Sequence, residues 1–452
     1  MKKVKSPSVA GSFYPGTEKE LSAEIATFIK NSRFDYNCSA RAVIVPHAGY
    51  FFSGQLACEG IQYLNPKAQN VFVIAPAHQV LVRDLAISSY GYFATPLGEI
   101  PVNQEINKIL VEKFKASFQD KAFAVEHSVE VQLPLVQSFL PNASIIPILT
   151  GDTDPQQIKD LLEYFWDDEE TAFVISSDLS HFFHDTEARK IDKLTAEMIE
   201  TANIDDFNPR QACGSTGIIG LVDFAKDRDF SMIRVNLQNS SVVGGDKLRV
   251  VGYGSWIMFE GSKEKFIKDN FSELIIDVCK KSIKTALDTG RALKIKPEDY
   301  PFVLQQNGAS FVTLEIDEVL RGCIGSIIEH QPLIADIVQN AYNSAFSDSR
   351  FSPLDLDEYK LLSISVSLLS APHQMFFKDE QDLLSQIVQD VDGIIIRDGY
   401  HQAVYLPSVW EQLPDKILFL NSLKQKAGLP ASYFSKNFEA YRFRTEYIKG
   451  KV

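Results

Sequence analysis

The chain has 452 residues, 45% of them hydrophobic and 23% charged, and a net charge of −14. That length exceeds one ordinary core and predicts two domains, while the negative balance argues against wholesale nucleic-acid binding. No apolar run approaches the roughly 18 residues that cross a bilayer, and the basic start MKKVKS lacks the apolar core of a signal peptide. Five scattered cysteines (38, 58, 213, 279 and 323) with no CxxC pair fit reduced thiols in a cytoplasm.

In chain order, residues 17–32 have helical apolar spacing, opened by Thr17 with Glu20 three residues on. Residues 41–50, RAVIVPHAGY, form a β-branched run that exits into a loop at His47. A helix starting near Ser53 then returns the chain to a second such run, NVFVIAPAH (70–78), ending at His78. Together they predict a parallel β-loop-α-β unit. Shorter strands or a hairpin are expected over 85–90 and 92–102, a helix over 103–117 and a strand over 144–149. Helices are expected over 155–166 and 185–202. Between them TAFVISSDLSH (171–181) repeats the buried-run pattern and ends in Asp178 and His181. Cys213-Gly-Ser-Thr-Gly opens an apolar helix to about Ala225, and strands near 231–239 and 248–258 close a domain spanning 1–260.

Residues 261–268 are charged and read as a linker. The pattern then changes to mixed helix and strand over 269–452: a helix at 270–288, strands at 311–316 and 319–324, a helix at 331–346 and a strand at 361–369. A hairpin is expected over 393–407 about Asp398-Gly399. Irregular alternation of this kind suggests an α+β domain.

Loops at the carboxyl ends of strands line the ligand crevice of open α/β sheets, so His47, His78, Asp178 and His181 are expected at one cleft. With Cys213 the first two histidines make a metal triad suited to iron, copper or zinc, with an open position. The plainer alternative has each histidine capping a strand and Cys213 as a small buried residue. Asp178 and His181 suit an acid/base pair, or Asp178 caps the following helix. Glu126-His127-Ser-Val-Glu130 either opens a helix with carboxylates at its positive end or contributes His127 and Glu126 to a pocket. In the second domain Leu320-Arg-Gly-Cys-Ile-Gly325 holds Cys323, a nucleophile if Arg321 stabilises its thiolate and otherwise a structural thiol. Its glycines allow close backbone approach by a ligand or another strand.

These stretches also carry a family resemblance. AGSFYPG (10–16), VPHAGYFFSG (45–54), PAH (76–78), EHSVEVQLP (126–134), SSDLSH (176–181) and CGSTG (213–217) resemble the Memo family, protein B of the AmmeMemoRadiSam system. FVTL (311–314), LRGCIG (320–325), DSRFSPL (348–354), ISVSLLS (364–370), YLPSVW (405–410) and FLNSLKQKAGLP (419–430) resemble the AMMECR1 domain, protein A of that system. The first resemblance implies an α/β fold like the catalytic subunit of class III extradiol dioxygenases (LigB-like), which use non-haem Fe(II). It also implies metal ligands at His47, His78 and Cys213 and pocket residues at His127, Asp178 and His181. Those dioxygenases bind metal through two histidines and a glutamate. A cysteine in the third place is softer and favours iron or copper redox chemistry. The second resemblance implies a smaller α+β domain, and the system's name implies a radical SAM protein as partner.

Two functional expectations follow. One is a metal-dependent redox or dioxygenase-like enzyme acting on a small molecule or peptide, with the second domain presenting the substrate. The other is a non-catalytic metal- or peptide-binding scaffold using the same cleft.

Overall fold

The computed structural model describes residues 3–33 and 35–452. The chain divides into two compact units, Met1–Ser262 and Lys263–Val452. The stretch 261–268 is not a free linker: from Lys263 it forms the opening turns of a 27-residue helix, Lys263–Thr289. Its charges are interleaved with Phe266 and Ile267, which are fully buried, so the segment reads as charged while packing as an amphipathic helix.

The first unit is built on a nine-stranded mixed sheet. At its centre four strands run parallel in the order Ala42–Val45, Thr171–Ser176, Asn70–Pro76 and Ser144–Thr150. Three of these end in the loops that carry His47, Asp178 and His78. The parallel unit expected from residues 41–78 is present, with the Thr171–Ser176 strand inserted between its two strands. Strands Val250–Phe259 and Leu85–Ile87 flank this centre in antiparallel register. Every residue of Ala42–Val45 and Thr171–Ser176 is buried, as continuous apolar runs covered on both faces require.

Helices Pro155–Phe165 and Ser215–Asp227 pack together over a core of Phe72, Phe165, Phe173, Trp166 and Phe224. Each large side chain buried there contributes roughly 1.5–3 kcal/mol. That framework is rigid enough to hold polar loops at the strand ends.

The second unit has a five-stranded antiparallel sheet that includes Val319–Gly325, Asn307–Ile316, Ser363–Leu369 and Thr445–Lys451 in that order. Helices Lys263–Thr289 and Leu333–Phe346 pack on it. A four-stranded sheet follows, with a core in which the Trp410 and Phe419 rings stack at 3.7 Å. Its hairpin turns at Gly399-Tyr400, one residue later than expected, because Asp398 pairs with His401 as the last rung of the ladder. Among the described residues no helix is long and apolar enough to cross a membrane.

Candidate metal centre

His47, His78 and His127 offer ring nitrogens that all lie within 4.8 Å of one another, a grouping that can hold a metal ion. The rings of His47 and His78 are 5.2 Å apart, and those of His78 and His127 stack at 5.0 Å. His47 is buried, His127 half-buried and His78 exposed, so the cluster opens to solvent on the His78 side.

Hydrogen bonds fix which nitrogen of each ring is free. The Ser176 hydroxyl donates its one proton to the Ser128 carbonyl at 2.7 Å and accepts from Gln132 Nε2 at 2.9 Å. Its 2.9 Å contact with His47 Nδ1 must therefore be a bond donated by the ring. Glu126, buried and ionised, only accepts. It takes His78 Nδ1 at 3.0 Å, and His127 Nδ1 lies 3.2 Å from the same oxygen. All three rings thus turn Nδ1 toward an outer acceptor, which leaves Nε2 as the nitrogen available to a metal. Metal-bound histidines are held in this way by carboxylates and other outer partners. Burial pushes His47 down to about 4, with Asp178 opposing and the neighbouring imidazoles adding to the effect, so this ring is neutral at pH 7.

Glu126 also accepts the amides of His78 at 2.6 Å and of His127 and Ser128 at 3.0 Å each. Burial raises its pKa, but these bonds win and hold it well below the usual carboxylate range. Glu126 therefore does not simply open a helix: it ties the His78 loop to the His127 loop. Glu130 has a parallel task on the N-terminal segment, binding Lys5 Nζ at 2.9 Å, the Ser8 amide at 2.8 Å and Tyr14 Oη at 2.9 Å. That anchorage brings Phe13 to 4.8 Å from the His127 ring.

Cys213 Sγ stands 3.3 Å from His47 Nε2, the free lone pair. Gly214 makes this approach feasible, since a Cβ there would meet the Ser177 Cβ at 2.6 Å and the Ser176 carbonyl at 2.7 Å. Burial, with the nearby Asp178 charge, pushes the thiol up to about 12, so without a metal it is protonated. The sulfur lies beside His47, but the grouping that can hold an ion consists of His47, His78 and His127 and does not include it, in place of the expected set of His47, His78 and Cys213.

Asp178 accepts the His47 amide at 2.8 Å. No hydrogen bond joins it to His181, so the expected acid/base pair does not form. The carboxylate faces the adjacent strand end, while His181 leaves along the Val250–Phe259 strand opposite Val251. Ser176 and Gln132 lie within the SSDLSH and EHSVEVQLP stretches, where no local pattern marks either as functional. Only their contacts reveal them.

In the second unit Arg321 does not serve Cys323. It binds Glu358 through two bonds of 2.8 Å and the Ser352 carbonyl at 2.9 Å. Cys323 accepts the Thr313 hydroxyl at 3.3 Å, and Arg350 reaches its carbonyl oxygen at 3.2 Å. Gly322 lies against the backbone of the Leu333–Phe346 helix, where a Cβ would collide with the Ser344 carbonyl. That glycine serves helix–sheet packing.

Comparison with known families agrees with this division. The Memo-like protein family matches residues 5–257 and AMMECR1 matches residues 276–448. The chain belongs to the Memo family and carries an AMMECR1 domain fused behind the Memo domain. It is 29% identical to a MEMO1 family protein of Aquifex aeolicus over 56% of this chain and 97% of that one. A MEMO1 family protein of Thermoplasma acidophilum is 30% identical over 56% and 98%. Among solved structures, an uncharacterised protein from Pyrococcus horikoshii is similar at 30% identity and a TM-score of 0.37, covering 39% of this chain and 90% of that one.

Proposed function

We propose that the Memo domain is a metal-dependent redox enzyme with a dioxygenase-like (LigB-like) fold. The observation that carries this reading is the grouping of three imidazoles, His47, His78 and His127, with ring nitrogens within 4.8 Å of one another and Nδ1 of the first two held by Ser176 and Glu126. His47 and His78 are the ligands in every arrangement. We propose Cys213, beside His47, as the third ligand and His127, the remaining member of the imidazole group, as a pocket residue that orients substrate. A donor set of imidazoles and a soft thiolate suits iron or copper, with zinc a weaker match. Bound there, such a metal supplies one-electron chemistry to a small-molecule or peptide substrate.

The protein's own groups do the rest. Glu126 orients two rings, Asp178 and Ser176 hold the His47 loop, and the buried sheet excludes water from below. His181, at the start of the short strand His181–Phe183, is the proton-moving group in this proposal. The AMMECR1 domain presents substrate, and a radical SAM protein acts with this chain in the cytoplasm.

The test is elemental analysis of protein purified without oxygen, comparing wild type with His47→Ala. Near-stoichiometric iron or copper, lost in the variant, supports the reading. A metal-free wild type that takes up neither ion on reconstitution overturns it and favours a scaffold.

A further inference from the structure

The four-stranded sheet of the second unit ends in a cleft of about 730 Å³ that contains no residue of the metal centre or of Leu320–Gly325. Small-molecule sites have volumes of roughly 300–1,000 Å³. Strand Glu439–Phe443 runs between His373–Met375 and Gly393–Asp398, with Met375 opposite Ala440 and Arg397 opposite Glu439. Met375, Ile396 and Ala440 belong to the core, so strand alternation turns Arg397 and Glu439 to the other face. Residues 376–378 and 434–438, which adjoin these strand ends, complete the cleft.

The walls are braced. The Phe434 ring packs 5.8 Å from Phe377 and 5.0 Å from Phe438, and all three join the core. Lys424, fully buried, binds Glu380 at 2.7 Å and the Ala431 carbonyl at 3.1 Å, tying together the segments behind the two walls. Ser435 donates to Asp398 at 2.5 Å and so fixes the second wall to the Gly393–Asp398 strand. A cleft held in this way exists before any ligand arrives. Phe376 lines it and is 80% exposed, although Met375 and Phe377 on either side turn inward. Its ring offers a face on which another flat ring can stack.

Charge points to the rest of the ligand. In a protein of net charge −14 the lining carries Lys378, Arg397 and Lys436 against one carboxylate, Glu439. That carboxylate is engaged, accepting the Tyr441 hydroxyl at 2.9 Å. Among the described residues none of the three cations is held in an ion pair. Asp382 takes the backbone amide of Lys378 at 2.9 Å, and the Arg397 guanidinium lies 5.9 Å from the Tyr441 ring. Like charges gathered at one cleft repel, and an anion between them relieves the repulsion. A phosphate group, with several acceptor oxygens, suits lysine and arginine donors best.

We propose that this cleft binds a small organic phosphate with an aromatic ring, a nucleoside phosphate by class, its phosphate among Lys378, Arg397 and Lys436 and its base on Phe376. The proposal is independent of the metal-centre reading.

The experiment is calorimetric titration of the full chain with adenosine 5′-monophosphate, adenosine and inorganic phosphate. The nucleotide is expected to bind at least about tenfold more tightly than either part, because only it engages both the cations and the ring. Lys378→Ala/Lys436→Ala is expected to weaken nucleotide binding about tenfold and to flatten its salt dependence. Phe376→Ser is expected to weaken it about fivefold while leaving phosphate binding unchanged. All three side chains are exposed, so an unchanged melting transition is the control for folding. No binding of the nucleotide to wild type at about 1 mM, phosphate binding as tight as nucleotide binding, or a nucleotide affinity that both variants retain overturns the proposal. A single-stranded oligonucleotide that binds more tightly than the nucleotide, and is lost in the same variants, overturns it in favour of a nucleic-acid site. Each of these outcomes leaves the metal centre untouched.

Discussion

Replacing Glu126 by Gln separates the charge of this residue from its shape. The wild-type carboxylate takes four hydrogen bonds of 2.6–3.0 Å, three on Oε1 and one on Oε2, with His127 Nδ1 at 3.2 Å as a fifth donor. Glutamine keeps one accepting oxygen. With that oxygen in the Oε1 place, its NH2 faces the His78 N–H and leaves one buried donor unpaired, costing about 1–3 kcal/mol. The remaining bonds lose their charge assistance, which roughly halves them. The expected loss of stability is about 3–4 kcal/mol, read by urea unfolding. Loosened rings should also lower metal affinity by about 10–100-fold in chelator competition. The wild-type advantage has a defined pH window. The folded pKa is depressed, so the contribution is complete above the unfolded value of about 4.3 and disappears as pH falls below it. A Gln variant within about 0.5 kcal/mol of wild type, with metal affinity unchanged, would refute the proposed role of Glu126.

Other outcomes follow from the same contacts. Metal uptake at pH 7.5 should release about one proton per ion from Cys213, whose thiol is pushed up to about 12, and none from His47, which sits at about 4. Cys213→Ala should abolish that release, as followed with an indicator dye, and lower metal content with the fold intact. Asp192, raised by burial from 3.8 to about 6, favours its neutral form when folded, so stability should fall as pH rises from 4 to 6. Asp192→Asn keeps an acceptor for the Ser180 amide and should gain up to about 3 kcal/mol at pH 8 and nothing at pH 4 in paired denaturation curves. Gly322→Ala should destabilise the second unit by about 1–3 kcal/mol, seen as a lowered melting transition, through the collision with Ser344.

The sequence alone revealed most of the framework. Continuous β-branched runs ending in His47, His78 and Asp178 could only be buried parallel strands, and their loops necessarily gather at one edge. Thr17 and Glu20 marked the start of the first helix, which runs Glu18–Lys30. Periodicity was less reliable at 263–268, where dense charge on the outer face of a helix reads as a linker. Partners across long sequence distances were not legible at all. Asp178 looked like the neighbour of His181 because they are three residues apart, yet its oxygen serves His47, 131 positions away. Arg321 looked like the cation for Cys323 and instead binds Glu358. Local sequence fixes which backbone conformations are affordable, and so decides strands, helices and the edge where loops meet. The direction of each hydrogen bond depends on what the fold brings opposite it. Only the tertiary structure could therefore show that Ser176 and Glu126 engage the Nδ1 side of three imidazoles gathered at one point.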